Sequence, residues 1–306
     1  MIYTLTLNPA VDYFLQVNDF NEGGLNIASS SNIISGGKGI NVSLVLSNLQ
    51  VQSTALGFLG GYTGNIVLKT LTEKNVITDF TEVDANTRIN IKLYNQNTAK
   101  ETEIAGISPK ITENQIDNLI NKITNILKER DVLVLAGSIP SSVVPNIYKI
   151  ISQKVNLQVK IILDTRGNLL KENIHNNFLI KPNKVELEEM FQISFNNTED
   201  IVKACDYFFQ QNVSNIIVSM GAEGSLFINK NHVYQALPIK LDVKNSVGAG
   251  DSMVAGFIYG VAHNKSLEDC YRFAVASSLA TISGEGLATM EKLNNFYSQI
   301  KIQQIK

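Results

Sequence analysis

The sequence predicts an α/β protein in which a mostly parallel sheet is covered by helices on both faces. Apolar runs rich in β-branched residues recur along the chain, and most of them are separated by stretches with helical spacing. Strands of a parallel sheet are buried on both faces and therefore read as continuous apolar runs. The chain has 306 residues, of which 44 % are hydrophobic and 18 % charged, so it can bury a large core.

The predicted strands of this sheet are six short apolar runs, at 2–7, 54–58, 132–136, 159–163, 178–180 and 215–219. A helical run at 42–49 follows a glycine-rich turn. The clearest helix is predicted at 113–129, where Thr112 and Gln115 form a capping-box pattern ahead of one apolar face. Asn197 and Ser266, each followed by acidic residues, predict two further helix starts.

Two stretches, 11–20 and 88–104, instead alternate apolar with polar residues. This period of two predicts exposed antiparallel strands that form a small β-layer beside the main sheet. No linker, low-complexity tract or internal repeat separates the two parts. We therefore expect a single domain, 1–306, with an inserted β-layer formed by about 11–35 and 88–105.

Charge and composition argue against several classes of protein. A formal net charge of −2 provides no basic field for a nucleic-acid backbone. No apolar run approaches the roughly 18 residues of a membrane span, and the N-terminus has no charged leader, so a cytoplasmic protein is expected. Cys205 and Cys270 lie far apart in helix-like contexts, which predicts buried thiols rather than a disulfide or a zinc site.

The most informative segment is Gly248-Ala249-Gly250-Asp251, at the start of an apolar helical run. Glycines let backbone N–H groups converge, and the positive end of the helix adds to them, so the segment predicts an anion site. Asp251, kept ionised by the helix N-terminus, is a candidate for accepting a hydroxyl proton during phosphoryl transfer. Taken alone, the same residues also fit a glycine turn with an aspartate cap.

A second glycine-rich segment, Gly36-Gly37-Lys38-Gly39-Ile40-Asn41, precedes the first helical run. It suits a polyhydroxylated or phosphorylated ligand that the backbone approaches closely, or a tight strand-to-helix turn. Neither segment matches the common nucleotide motifs. The sequence contains no Walker loop, and the dinucleotide fingerprint fails because Val42 and Met253 fill its last glycine position.

Three other segments carry polar residues at predicted strand ends. Arg88, Asn90 and Lys92 project from one face of a strand, where they suit an anionic ligand or a solvated surface. Asn183 and Glu186, after Lys181-Pro182, could hold Mg²⁺ through water at a helix start. The segment from Ser219 to Gly224 has glycines that would let backbone approach phosphate or ribose.

Together these segments resemble the PfkB (ribokinase-like) family of sugar kinases, over essentially the whole chain. The resemblance rests on seven motifs that follow the family's order: Thr6-Leu7-Asn8-Pro9-Ala10-Val11-Asp12, Gly36 to Asn41, Thr87-Arg88-Ile89-Asn90, Gly137-Ser138-Ile139-Pro140, Lys181-Pro182-Asn183 through Glu186, Ser219 to Gly224, and Gly248 to Asp251.

The resemblance implies a ribokinase-like fold and ATP-dependent phosphorylation of a sugar. The first motif looks like the phosphosugar branch, and the segment after Thr87 looks most like its members that phosphorylate the C6 hydroxyl of fructose 1-phosphate to give fructose 1,6-bisphosphate. It also implies Mg²⁺ on the nucleotide and a β-layer that forms a lid and often a dimer contact. The partners expected are thus a phosphosugar and ATP, without nucleic acid or membrane. The alternative hypotheses are a tagatose-6-phosphate kinase, a promiscuous phosphohexose kinase and a non-catalytic sensor.

Roles carried over by resemblance fall into four groups: the catalytic residues Asp251 as general base and Gly248, Ala249 and Gly250 as anion hole; the sugar-binding residues Asp12, Gly36, Gly37, Lys38 and Asn41; Arg88, with Asn90 beside it, at the substrate phosphate; and Asn183, Ser219, Gly221, Glu223 and Gly224 at the nucleotide, with Glu186 holding Mg²⁺ through water.

Two positions depart from the pattern of this resemblance. Family members often carry arginine where this chain has Ile27 and Leu44. Neither apolar side chain can pair with a phosphate. Either Arg88, Lys38 and Lys92 suffice, or the preferred phosphosugar differs. A catalytically inactive sensor remains the least favoured reading, because it has no use for Asp251 beside an anion site.

Overall fold

A computed structural model describes residues 1–156, 158–244 and 246–306 of the chain. Its strands, in chain order, are β1 Ile2–Thr6, β2 Ala10–Val17, β3 Ser30–Gly36, β4 Thr54–Leu59, β5 Ile77–Thr78, β6 Thr81–Glu82, β7 Arg88–Asn95, β8 Lys100–Ile104, β9 Val132–Ala136, β10 Lys160–Asp164, β11 Leu179–Ile180, β12 Asn215–Ser219, β13 Ser225–Asn229, β14 Val233–Ala236 and β15 Ile302–Gln304.

The helices are α1 Lys38–Asn48, α2 Gly61–Glu73, α3 Glu113–Ile126, α4 Ile147–Lys154, α5 Asn168–Asn173, α6 Lys184–Phe191, α7 Thr198–Ala204, α8 Asp206–Gln210, α9 Ala249–Ala262, α10 Leu267–Ile282 and α11 Met290–Tyr297, with a short 3₁₀ turn at Gly221–Glu223.

A large, mostly parallel sheet forms the body of the protein, as the apolar runs predict. Its strand order is β15-β14-β13-β12-β11-β10-β9-β1-β4-β5, and β6 pairs with the end of β4. The pairs from β12 across to β5 are parallel, whereas β13, β14 and β15 add an antiparallel edge. All six predicted strands belong to this sheet, and each of their boundaries agrees with the prediction to within one residue.

Both faces of the large sheet are buried. Successive strand residues point to opposite faces, so Val134 packs with α9 and α10 on one side while Leu135 packs with α3 and α4 on the other. Each face has its own apolar cluster, and the contact between α9 and α10 is the most extensive between helices. The predicted class, helices on both faces of a parallel sheet, is confirmed.

A separate four-stranded sheet, here called the small sheet, has the order β3-β2-β7-β8. The stretches in which apolar and polar residues alternate form its strands, but the direction of one strand pair differs from the prediction. The central pair, β2 with β7, is parallel, and only the two outer pairs are antiparallel. Alternation reports which face is exposed and says nothing about the direction of a partner that lies 78 residues away, as for Asp12 and Asn90.

Local signals for helix ends agree with the structure. In α3 the Thr112 hydroxyl accepts from the Gln115 backbone N–H at 3.3 Å, and the Gln115 side chain accepts from the Thr112 N–H at 2.9 Å. Asn197 and Ser266 cap α7 and α10. Helix α1 begins at Lys38, four residues before the predicted 42–49 run, so Lys38 and Asn41 belong to its first turn.

The two cysteines are buried free thiols, as their contexts predict. Among the helices of the described residues, none combines the length and hydrophobicity that a bilayer crossing requires.

Candidate active site

A cleft of about 600 Å³ lies at the carboxyl ends of the parallel strands, where the small sheet approaches the large one. In an open parallel sheet, ligands bind at this edge because the loops that follow the strands converge there. The residues that line the cleft come from the ends of β1, β9 and β10, from the turn after β11, and from the N-termini of α1 and α9. Polar groups that are distant in sequence therefore meet at one place.

The N-terminus of α9 forms one wall of this cleft. Gly248 is its N-cap residue and has φ +79°, a left-handed conformation that favours glycine. A Cβ atom there would also lie 2.5 Å from Leu287 Cδ2. Backbone N–H groups in the first turn of a helix have no partner within the helix, so this turn can bind an anion. Ala249, Gly250 and Asp251 are the first three residues of the helix.

Asp251 is 5 % exposed and held from two sides. The Asn41 amide donates to Oδ2 at 2.7 Å, and Lys38 Nζ lies 3.6 Å from Oδ1. Burial raises the pKa of Asp251, an effect that Lys38 opposes without cancelling it. The carboxylate is thus more basic than the helix N-terminus alone would make it. A carboxylate of raised pKa is a better proton acceptor.

A second carboxylate, Asp164, shares Lys38 with Asp251 and is 2 % exposed. Lys38 Nζ donates to its Oδ2 at 3.0 Å, and Lys181 Nζ lies 3.6 Å from its Oδ1. Burial alone would raise the pKa of Asp164, but Lys181 and Lys38 lower it below its usual value. Burial lowers the pKa of Lys38, but the carboxylates of Asp164 and Asp251 outweigh burial and raise this pKa to about 12. Lys38 therefore remains charged.

Asp12 lies on the small-sheet side of the cleft, and two neighbours hold its carboxylate. The Asn90 amide donates to Oδ1 at 2.8 Å, and Lys92 Nζ lies 3.2 Å from Oδ2. A Cβ on Gly36 would lie 2.8 Å from Oδ2, so the glycine makes room for it. The Asn90 side chain also accepts from the Gly106 N–H at 3.0 Å. Asn90 thus positions Asp12, whereas Arg88 and Lys92 line the cleft.

Arg88 enters the cleft from the start of β7. Its Nη2 donates to the Asn8 carbonyl at 3.2 Å and lies 3.5 Å from the Ser138 hydroxyl. Within the described residues, Arg88 Nε and Asn8 Oδ1 are buried without a hydrogen-bond partner. Buried polar atoms normally have partners, so these two indicate that a polar ligand completes the site. The guanidinium and the nearby hydroxyl suit an anionic group.

The opposite end of the cleft leads to a groove of about 760 Å³ between the 3₁₀ turn Gly221–Glu223 and α9. Ser219, Gly221, Glu223, Gly224 and Ala249 lie along it. The far part of the groove is apolar and suits a flat ring system; its lining includes Met253, Val275, Leu279 and Ile282. Lys184 pairs with Glu223 at 3.1 Å at the edge of the groove.

Asn183 and Glu186 lie where the cleft and the groove meet, at the start of α6. They form a capping box: Asn183 Oδ1 accepts from the Glu186 N–H at 2.7 Å, and Glu186 Oε2 accepts from the Asn183 N–H at 2.9 Å. The other carboxylate oxygen, Oε1, lies 3.8 Å from Arg166 Nε. The pair therefore caps a helix and still directs one acidic oxygen toward the cleft.

The structure brings Asp251, Gly248, Gly250, Asp12, Gly37, Lys38, Asn41, Arg88, Asn183, Ser219 and Glu186 together around the cleft. Gly36 lies behind Asp12, and Asn90 faces Asp12. Sequence reasoning assigned no role to Asp164, Lys181, Arg166 or Ser138. Each of them ends or closely follows a buried strand, which is the signal that marks the ligand edge of a parallel sheet.

The two positions that lack an arginine lie in different environments. Ile27 is 80 % exposed, in the segment that connects β2 to β3. Leu44 is 8 % exposed and packs in an apolar cluster with Val11 and Ile40 beneath the small sheet. An arginine at 44 would bury a charge in that cluster.

Comparisons with known proteins agree with this geometry. Residues 5–293 match the family described as pfkB family carbohydrate kinase. The chain is 42 % identical to 1-phosphofructokinase of Bacillus subtilis over 307 residues, with all of both chains covered. It is 41 % identical to 1-phosphofructokinase of Borreliella burgdorferi, with 100 % of this chain and 99 % of that protein covered.

A more distant relative is the D-tagatose-1-phosphate kinase of Bacillus licheniformis, which is 32 % identical with full coverage of both chains. The crystal structure of a putative phosphofructokinase from Staphylococcus aureus superimposes with a TM-score of 0.88 at 39 % identity, covering 100 % of this chain and 99 % of that one. The chain belongs to the pfkB family of carbohydrate kinases, enzymes that transfer a phosphoryl group to an alcohol acceptor.

Proposed function

We propose that the protein phosphorylates the C6 hydroxyl of fructose 1-phosphate with ATP and Mg²⁺, giving fructose 1,6-bisphosphate. The observation that carries this proposal is the pairing, in one cleft, of a buried aspartate at a helix N-terminus with an arginine whose Nε is buried and unpartnered among the described residues. Asp251 suits a sugar hydroxyl, and Arg88 suits a phosphate already on the sugar. The names of the relatives at 41 and 42 % identity support the same substrate.

Asp251 acts as the general base in this proposal. Asn41 holds Oδ2, which leaves Oδ1 beside Lys38 and available to the sugar hydroxyl. As the hydroxyl oxygen bonds to the terminal phosphorus of ATP, the bond from that phosphorus to the bridging oxygen breaks. The hydroxyl proton passes to Asp251, and ADP leaves with the bridging oxygen. N–H groups of the Gly248 to Gly250 turn hold the negative charge of the phosphoryl group.

Lys38 and Lys181 add positive charge along the same path. Both contact Asp164, so the buried carboxylate keeps two long, flexible side chains in fixed positions. Preorganised charges stabilise a transition state more than mobile ones, because they need no reorganisation during the reaction. Lys181 Nζ would lie 3.0 Å from a Cβ on Gly250, which puts it next to the proposed anion hole.

The residues at the nucleotide end fit a magnesium ion that is bound through water. Among the described residues, no three His, Cys, Asp or Glu side chains cluster as a metal site. Mg²⁺ in kinases usually keeps several waters and is held by one or two carboxylates together with the nucleotide phosphates. Glu186 Oε1 is the acidic oxygen available for that contact, and the ion would neutralise charge on the phosphates.

The small sheet serves, in this proposal, as a lid over the cleft and as a contact between two copies of the chain. One face of this sheet exposes apolar side chains, including Ile33, Ile89 and Ile104. A two-layer arrangement with a second small sheet would cover them. Ile104→Asp should then shift the protein toward monomer in sedimentation experiments, whereas Ile193→Asp, at an exposed isoleucine outside the small sheet, is the control.

One assay tests the substrate. ADP release is measured with fructose 1-phosphate, tagatose 1-phosphate, tagatose 6-phosphate, fructose 6-phosphate and free fructose. The proposal expects the highest kcat/KM with fructose 1-phosphate. Preference for a tagatose phosphate would replace it with the second candidate, which the Bacillus licheniformis relative favours. Nucleotide binding without turnover of any phosphosugar would leave only a sensor.

A further inference from the structure

Arg166 has no role in the reaction as described so far, although it lines the cleft. It follows the end of β10 by two residues, so the strand that carries Asp164 also carries this arginine to the rim. Its side chain is 79 % exposed, and the nearest carboxylate oxygen, Glu186 Oε1, lies 3.8 Å from Nε. That distance is too long for a hydrogen bond.

The other cations of the cleft are already committed within the protein. Lys38 Nζ lies 3.0 Å from Asp164, Lys92 Nζ lies 3.2 Å from Asp12, and Lys181 is nearly buried against Asp164. Arg88 is directed toward the small-sheet end of the cleft. Among the described cations that line the cleft, Arg166 is the one whose side chain stands mostly in solvent. It can move to a ligand without breaking a buried ion pair.

The position of Arg166 places its charge between the nucleotide end and the sugar end. On one side it faces Glu186, the residue proposed to hold Mg²⁺ through water. On the other side, Asp164 lies two residues earlier at the end of the same strand, where its carboxylate pairs with Lys38. In the proposed function, the phosphoryl group passes from donor to acceptor between these groups.

A guanidinium ion suits that space because it presents parallel N–H donors to two oxygens of one phosphoryl group. During transfer, the phosphoryl group spreads negative charge over its three equatorial oxygens, and an arginine that contacts them stabilises the transition state. A lysine offers a point charge without this paired geometry.

We propose that Arg166 is a catalytic residue that binds the terminal phosphoryl group of the nucleotide while it moves to the sugar hydroxyl. The inference rests on the proposed function for the acceptor but requires only a nucleoside triphosphate as donor. Arg166 makes and breaks no covalent bond. It leaves the vicinity of Glu186, contacts two phosphoryl oxygens, and stays with them as the bond to the bridging oxygen breaks and the proton passes to Asp251.

The test compares Arg166→Ala and Arg166→Lys with Lys171→Ala. Lys171 is an exposed cation at the end of α5, so its loss changes the net charge equally without touching the cleft. Two quantities are measured: kcat with the best phosphosugar, and the affinities for ADP and for a non-hydrolysable ATP analogue by titration calorimetry with Mg²⁺.

Arg166→Ala should lower kcat by about a hundredfold, the loss typical of removing one donor to a developing charge. Its affinity for the ATP analogue should fall while its affinity for ADP stays at the wild-type value, because only the analogue carries the terminal phosphate. Arg166→Lys should be intermediate, and Lys171→Ala should match the wild type.

Two results would overturn the inference: a kcat for Arg166→Ala equal to that of Lys171→Ala, or equal losses of affinity for ADP and the analogue. The second would mean that the arginine acts through Glu186 or through general charge. Failure of the proposed sugar is a separate outcome, because the wild-type substrate panel reveals it and the nucleotide titrations need no sugar.

Discussion

Two regions of the molecule differ in what they bury. The large sheet buries charged groups at its carboxyl edge, whereas the small sheet leaves apolar side chains exposed. At the edge, Asp164 and Asp251 are almost fully buried, and lysines compensate their charge. On the small sheet, isoleucines such as Ile33 and Ile104 stand more than half exposed. Buried charge and exposed apolar surface are both costly, and each must have a reason.

This difference separates two parts of the reaction. The edge is preorganised without a ligand, since Asn41, Lys38 and Asp164 already fix the Asp251 carboxylate and the positive charge beside it. The small sheet has unsatisfied groups. Among the described residues, no protein surface covers its exposed apolar face, and Arg88 Nε has no hydrogen-bond acceptor. In the proposed function, phosphoryl transfer therefore depends on the edge of the large sheet, and recognition of the sugar depends on the small sheet.

The largest effect is expected at the edge, from Asp251→Asn. Removing a positioned general base costs about a hundredfold to ten-thousandfold, so we expect kcat to fall by at least about a hundredfold. ATP affinity should stay near that of the wild type, because the amides that hold the phosphates remain. Asp117→Asn, at an exposed position of α3, is the matched control. A variant that kept more than about a tenth of wild-type kcat would exclude Asp251 as the base.

Asp164→Asn tests the same edge through stability. The two lysines lower the pKa of Asp164, so its stabilising contribution is present above the pKa of an unfolded aspartate and is lost as pH falls through the folded value. Losing one partner of a buried pair costs about 3–5 kcal/mol, and we expect about 3 kcal/mol here because asparagine keeps a hydrogen bond to Lys38.

The measurement is the free energy of unfolding of wild type and Asp164→Asn in urea, at neutral and at acidic pH. The difference in the free energy of unfolding between wild type and Asp164→Asn should become smaller at acidic pH. Asp251→Asn gives the opposite sign, because burial raises the pKa of Asp251: its ionised form destabilises the fold as pH rises through that pKa. That variant should be at least as stable as the wild type at neutral pH. If both variants lose equal stability, the two carboxylates do not differ as described.

How much of this could be predicted from sequence depends on whether the signal is local. Runs such as 132–136 predict buried strands because β-branched residues without polar interruption fit both faces of a sheet. Thr112 with Gln115 predicts a helix start, since the cap bonds span three residues. The parallel pairing of β2 with β7 is a contact between distant segments, and nothing in either strand specifies its direction.

The same reasoning applies to the site. Gly248 and Gly250 beside Asp251 carry a local pattern that predicts an anion site with a base. Asp164 belongs to no such motif: its position at the end of a buried strand indicates the ligand edge of the sheet but does not identify its partners. Its role depends on Lys38, 126 positions away, and on Lys181, both of which only the folded sheet brings to it. The contact of the Asn90 amide with Asp12 is likewise absent from any local pattern, because it requires the pairing of β7 with β2.

A smaller effect is expected on the small sheet, from Arg88→Ala. A charge-assisted hydrogen bond contributes about 1.5–3 kcal/mol, so the KM for the phosphosugar should rise about tenfold or more. The KM for ATP should change little, since Arg88 lies at the end of the cleft away from the nucleotide groove. Lys100→Ala, an exposed cation on β8, is the control. Equal effects on both KM values would place the phosphate elsewhere.

The smallest effect is expected from Ile27→Arg. This substitution tests whether the segment between two small-sheet strands contributes to phosphate binding in the cleft. If the missing arginine weakened phosphate binding directly, restoring it would lower the KM for fructose 1-phosphate by about tenfold. Ile27, however, is 80 % exposed between β2 and β3, outside the cleft of its own chain. In a monomer, Ile27→Arg should therefore leave the KM for fructose 1-phosphate and for fructose unchanged, because the new charge remains solvated and screened.

The measurement is KM for both sugars, in parallel with the oligomeric state. A lower KM confined to dimeric protein would mean that the small sheet of one copy completes the phosphate site of another, whereas a lower KM in monomer would contradict the position of Ile27 described above.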